Sequence, residues 1–162
     1  MNYKQAQRSD LDQLSSLFDG YRVFYRKESD INAAKGFLKE RLEQKDSVIF
    51  VAEANGELLG FTQLYPLFSS TRMKKLWLLN DLFVAAAHRG KGISKGLIDQ
   101  AKSLCKESGA CGMFLETEIS NEIGNALYPR TGFSLNEGSN FCLLYTSPSP
   151  RDATLSRMPS SA

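Results

Sequence analysis

The chain has 162 residues, 42% of them hydrophobic, 10% aromatic and 23% charged, enough for one domain with a real core but not for two. Its formal charge of +2 argues against a dedicated nucleic-acid binder. No run reaches membrane-span length and the start, Met1-Asn2-Tyr3-Lys4-Gln5, lacks a signal peptide's apolar block, so a cytoplasmic protein with no membrane association is expected.

Tyr3–Gln7 reads as a short first strand. Ser9-Asp10-Leu11-Asp12 fits the Ser-x-x-acid capping pattern ahead of Leu11, Leu14, Leu17, Phe18 and Tyr21 at helical spacing, which predicts a helix beginning at Asp10. Asp30 opens a second helix with Ala34, Phe37, Leu38 and Leu42 on one face. The β-type runs Val48–Glu53 and Leu58–Tyr65 are joined through Asn55-Gly56, a hairpin signal because both residues tolerate positive φ. Leu76–Val84 is a third run of strand length, and Ile93, Leu97, Ile98, Ala101, Leu104 and Cys105 then recur at 3.6 spacing. Cys111–Ile119 reads as a strand, Asn121–Tyr128 as a short helix stopped by Pro129 and Gly132, and Phe133–Leu135 as the start of a last strand. The order describes a mixed α/β domain. Cys105 and Cys111 read as small buried hydrophobes. The three cysteines form no metal-type pair and the chain has one histidine, so no metal site is expected.

From Cys142 the chain reads CLLYTSPSPRDATLSRMPSSA, rich in proline and serine, a composition that cannot bury a core. CLLYTSPSPRD also resembles the translation of a transposase-type sequencing adapter, and ATLSRMPSSA an index with its adjoining adapter. Residues 142–162 are therefore expected to be a non-native, disordered tail, leaving a C-terminally truncated domain of residues 1–141 with a charge of +1.

His88-Arg89-Gly90-Lys91-Gly92-Ile93-Ser94-Lys95-Gly96 lies where a strand turns into a helix. Backbone N–H groups and the positive helix end converge there with Arg89, Lys91 and Lys95 nearby, a site for phosphates. The Walker pattern fails for want of a correctly spaced glycine, and Lys95 stands where a dinucleotide fingerprint needs its third glycine. Gly92-Ile93-Ser94-Lys95-Gly96 matches a nucleophile elbow, but the only histidine, His88, precedes Ser94, against the order of that fold.

Arg89-Gly90-Lys91-Gly92-Ile93-Ser94 does fit Arg/Gln-x-x-Gly-x-Gly/Ala, with Ser94 in the place usually held by Gly or Ala. Here the sequence resembles the general-control-related N-acetyltransferases, the GNAT superfamily, over residues 3–137. Leu79–Val84 looks like the family's fourth strand, and Asn121 with Tyr128, Gly132 and Phe133 like its downstream signature. The resemblance implies a mostly antiparallel central sheet flanked by helices, here lacking the family's final strand or imitating it with Cys142–Tyr145, and a possible homodimer in the intact protein.

It also implies acetyl-CoA as co-substrate. The backbone of Phe83 and Val84 would bind the pantetheine arm, the N–H groups of Arg89, Gly90, Lys91, Gly92, Ile93 and Ser94 would cradle the pyrophosphate, and Asn121 would join the cofactor site. Tyr128 would be the acid that protonates the departing thiolate, its bland reading being a tyrosine at the core edge. Asp81 is the leading base, because diamine-acetylating relatives carry an acidic pair where this chain has Asn80-Asp81.

Strand alternation sets Leu79, Asp81 and Phe83 on one face, and Glu116 and Glu118 on one face of the next strand. These carboxylates either supply a negative field for a cationic amine or are ordinary solvated groups. Tyr21, Phe24, Tyr25 and Tyr65 form either an aromatic site for an alkylammonium group or plain core. The expected activity is acetyl transfer to a primary amine by direct attack in a ternary complex, with a small amine as acceptor. The alternatives are acetylation of protein or peptide lysine and a non-catalytic acyl-CoA-binding sensor.

Overall fold

The computed structural model describes residues 1–146; residues 147–162, which hold most of the expected non-native tail, lie outside the described residues. The elements run β1 (Asn2–Gln5), α1 (Leu11–Phe24), α2 (Ile31–Gln44), β2 (Val48–Ala54), β3 (Glu57–Ser69), β4 (Lys74–Val84), α3 (Ile93–Glu107), β5 (Met113–Phe114) and α4 (Glu122–Arg130). One sheet holds all five strands in sequence order, antiparallel except for the parallel β4–β5 pair. Among the described residues no helix is long and apolar enough to cross a membrane.

Local chemistry accounts for most boundaries. Asp30 caps α2 by accepting the Ala33 N–H at 3.0 Å. Before α1, the Asp10 carboxylate accepts the Gln7 N–H at 2.8 Å, so capping runs from Gln7 to Asp10 and not from Ser9 to Asp12 as the sequence pattern suggested. Asn55 and Gly56 both take positive φ, 53° and 77°, and close the β2–β3 hairpin.

The sheet separates two layers. Leu14, Leu17 and Phe18 of α1 and Ala34 and Leu38 of α2 bury against Ile49, Val51 and Phe61 on one face. On the other, Ile93, Leu97, Ile98 and Ala101 of α3 bury against Leu59, Leu64, Trp77 and Leu79.

Strict alternation fails in β4. Gln63 lies opposite Asp81 but Leu64 lies opposite Leu79, so Asn80 is an extra residue, a β-bulge. Leu79 consequently packs with Ile98 and Ala101 under α3, while Asp81 stays opposite Gln63 and Phe83 packs into the α1 layer. The expectation that Leu79 shares a face with Asp81 and Phe83 is overturned.

The strand expected over Cys111–Ile119 is reduced to Met113–Phe114, paired with Trp77 and Leu78 just before the bulge. Glu116 and Glu118 therefore lie beyond it on irregular chain. Phe133–Leu135 forms no strand, and Leu135 is largely exposed. Cys142–Tyr145 is irregular too.

Two glycines predict opposite outcomes. A Cβ on Gly60 would stand 2.8 Å from the Phe83 carbonyl oxygen, backbone that cannot yield without moving β4, whereas a Cβ on Gly36 meets nothing. In denaturant melts, Gly60→Ala should cost about 1–3 kcal/mol and Gly36→Ala should stabilise by roughly 0.5–1 kcal/mol, the helix-propensity gain.

Candidate active site

Because β4 and β5 pair only up to Leu78, the remainder of β4 has an open edge facing α4. A cleft of about 710 Å³ occupies that gap, walled by Leu82, Phe83 and Val84, by the loop entering α3, by Asn121, Leu127 and Tyr128 of the α4 region, and by Phe24 and Tyr25 at the end of α1.

At the loop end, Gly90 and Gly92 both have φ of 79°, in the left-handed region that side chains avoid. Gly92 caps α3, and the first helical bond runs from the Gly96 N–H to its carbonyl. The N–H groups of Ile93, Ser94 and Lys95 thus have no acceptor within the helix, at its positive end. Gly90, Gly92, Ile93 and Ser94 line the cleft, and Lys91 does not. The Arg89 side chain folds back, donating from Nε to the Val84 carbonyl at 3.0 Å with its guanidinium 5.4 Å from the Phe24 and Phe83 ring centroids. It clamps the loop to β4. His88 also lines the wall, on the loop side.

At the other end stands Tyr128. Its ring packs edge-on against Phe133 at 5.7 Å. Burial, with Tyr25 nearby, pushes its phenol up to about 12, so it keeps its proton at neutral pH. Asn121 sets α4 in place by accepting the Gly124 N–H at 3.1 Å and donating to Thr117 at 2.9 Å. A helix-capping residue is thereby also part of the cleft wall.

Across β4 lies Asp81, only 6% exposed. Gln63 Nε2 donates to it at 2.9 Å and Asn80 Nδ2 at 3.1 Å, and the Tyr21 hydroxyl lies beside it. Burial raises its pKa and these donors pull against that rise. Tyr21 touches Tyr25, Phe61 and Phe83 with centroids 5.1–6.0 Å apart, and Phe24 packs on Tyr25 at 5.2 Å. Phe24, Tyr25 and Phe83 of this aromatic box line the cleft, whereas Tyr21 and Asp81 stand behind them, outside its lining.

The structure does not gather every residue expected at the site. Tyr65 is half-buried on the Gln63 side of β3 and is outside the cleft lining; burial first, then Asp81, pushes its phenol up to about 12. Glu118 sits by Tyr25 but is already paired with Arg26 at 2.8 Å. Glu116 is exposed and shares no face with Asp81, since the strand that was to align them ends at Phe114.

The acetyltransferase (GNAT) family profile matches residues 11–133. This chain belongs to the GNAT acetyltransferase family. It is 46% identical over 144 residues to the uncharacterized N-acetyltransferase YhfO of Bacillus subtilis (strain 168), covering 88% of this chain and 97% of that one. A crystal structure of a "probable acetyltransferase" superposes with a TM-score of 0.88 at 37% identity, over 92% of this chain and all of that one. A streptothricin acetyltransferase of Streptomyces lavendulae is 36% identical over 93 residues, 57% of this chain and 47% of that one.

GNAT enzymes generally take their acetyl group from acetyl-CoA, and the cleft of this acetyltransferase suits such a donor. The free N–H groups and the two side-chain-free positions, Gly90 and Gly92, answer a diphosphate, and the open β4 edge answers an amide-bearing arm. Sequence reasoning missed Gln63 and Arg26. A polar residue inside the apolar run Leu58–Tyr65 was the available signal for Gln63; Arg26, at a φ of 65° after α1, offered none.

Proposed function

We propose that this acetyltransferase moves the acetyl group of acetyl-CoA onto the primary amine of a small molecule by direct attack in a ternary complex. The observation that carries this reading is one continuous cleft with free α3 amides at one end and the protonated Tyr128 phenol at the other, joined through the aromatic box to buried Asp81. When bound, acetyl-CoA supplies the thioester whose C–S bond breaks as the new C–N bond forms.

The chain's own residues do the rest. The amides of Ile93 and Ser94, with Gly90 and Gly92, hold the pyrophosphate, and the backbone of Phe83 and Val84 holds the pantetheine arm. Asp81 takes the proton that the amine must lose, directly or through water, and Tyr128 Oη gives one to the departing sulfur. Tyr21, Phe24 and Tyr25 offer ring faces to an alkylammonium. The streptothricin relative, named for a small-molecule acceptor, supports that class.

Thiol release from acetyl-CoA over a panel of aliphatic amines, amino sugars and lysine peptides tests this. Release with small amines is expected. Release with lysine peptides alone would move the acceptor to protein, and CoA binding without any release would make the chain a sensor.

A further inference from the structure

Gln63 is a fully buried amide in the middle of β3, 1% exposed, between Thr62 and Leu64, which are also buried. It lies directly opposite Asp81, as the last pair before the register shifts at the bulge. Its two ends are engaged differently. Nε2 lies 2.9 Å from Asp81 Oδ2, and Oε1 lies 2.9 Å from the Ser47 hydroxyl at the start of β2. An ionised carboxylate only accepts, so the amide can face it only through its NH₂, and the Ser47 hydroxyl then donates to the carbonyl. Two strands and the residue leading into β2 thus contribute to one chain of hydrogen bonds that ends on the Asp81 carboxylate.

We propose that Gln63, itself oriented by Ser47, is a positioning residue that holds Asp81 ionised and fixes which of its oxygens faces the acceptor amine. The inference rests on the reading of Asp81 as the base. A buried carboxylate without a cationic partner needs donors to stay charged, and the groups facing Asp81 are neutral: Tyr21 from α1 and Tyr25 just after it, Tyr65 and Gln63 from β3, and Asn80 beside it. Gln63 is the donor buried most deeply. Its donation to Oδ2 anchors one side of the carboxylate.

The test uses the full chain and two readouts, the ¹³Cγ titration of Asp81 by NMR and the pH profile of kcat with the best amine of the panel. Gln63→Leu should make the carboxyl titrate at higher pH and lower kcat at the acid end of the profile about tenfold, the worth of one hydrogen bond to a charged group, with the high-pH plateau kept. Ser47→Ala should move both in the same direction by less. Should Gln63→Leu fold poorly, Gln63→Met makes the same deletion with a more adaptable side chain. Asp81→Asn separates the two ideas. If it abolishes the acid limb while the Gln63 and Ser47 variants leave limb and titration where they were, Gln63 has no positioning role and the base assignment stands. If Asp81→Asn itself leaves the limb in place, the base assignment fails and this inference fails with it.

Discussion

Tyr128→Phe should lower kcat about 10²- to 10⁴-fold, the range general acid catalysis supplies, while the Kd for CoA and the melting temperature stay close to wild type. The hydroxyl is the only group removed from Tyr128. Its ring remains packed edge-on against Phe133, and among the described residues its hydroxyl makes no protein hydrogen bond whose loss would loosen α4. A structural tyrosine would show the reverse, lost stability with retained rate. The pH profile adds a second check: with the phenol pushed up to about 12 by burial, the acid stays protonated through neutral and mildly alkaline pH. Any alkaline limb in that range then belongs to another group. Thiol release by the variant at the wild-type rate would remove Tyr128 from the mechanism.

Much of this was legible in sequence, because the residues concerned act locally. Asn55-Gly56 closes its hairpin, Asp30 caps its helix, and the 3.6 spacing of Ile93, Leu97, Ile98 and Ala101 marks the buried face of α3. The glycine loop was equally readable, since positive φ at Gly90 and Gly92 is a local demand. What escaped depends on pairing between distant strands. An extra residue at Asn80 has no marker in Asn80-Asp81 itself; it appears only when Gln63 and Leu64 are set against Asp81 and Leu79. The short β5 has the same origin, since Cys111–Ile119 has strand composition but its partner diverges after Leu78. Glu116 and Glu118 were misplaced for that reason, and Glu118 finds Arg26 instead, 92 positions away in sequence.

The bulge also explains why one strand serves two sides of the reaction. Were Asn80 an ordinary strand residue, Leu79 and Asp81 would share one face. As a bulge it lets Leu79 pack under α3 while Asp81 and Phe83 take the α1 face, and the strand edge stays open to the cleft. The proposed base and the donor-binding edge are thus set within three residues of one another.

The second large effect belongs to the loop and is separable from stability by an internal control. Gly92 and Gly56 have nearly the same φ, 79° and 77°, and a Cβ at either meets nothing within 4 Å. Valine at either position should therefore cost a similar amount in denaturant melts, at least about 1–2 kcal/mol for a side chain forced into the left-handed region. Gly56 closes the β2–β3 turn, whereas Gly92 caps α3 in the wall of the cleft. Gly92→Val should weaken CoA binding at least about tenfold, roughly 1.4 kcal/mol, because it places branched carbons beside the free amides of Ile93 and Ser94. Gly56→Val should leave the Kd for CoA unchanged. Calorimetric titration of both variants with CoA decides the matter: equal affinities would mean that the glycine loop merely turns a corner and that the diphosphate is held elsewhere.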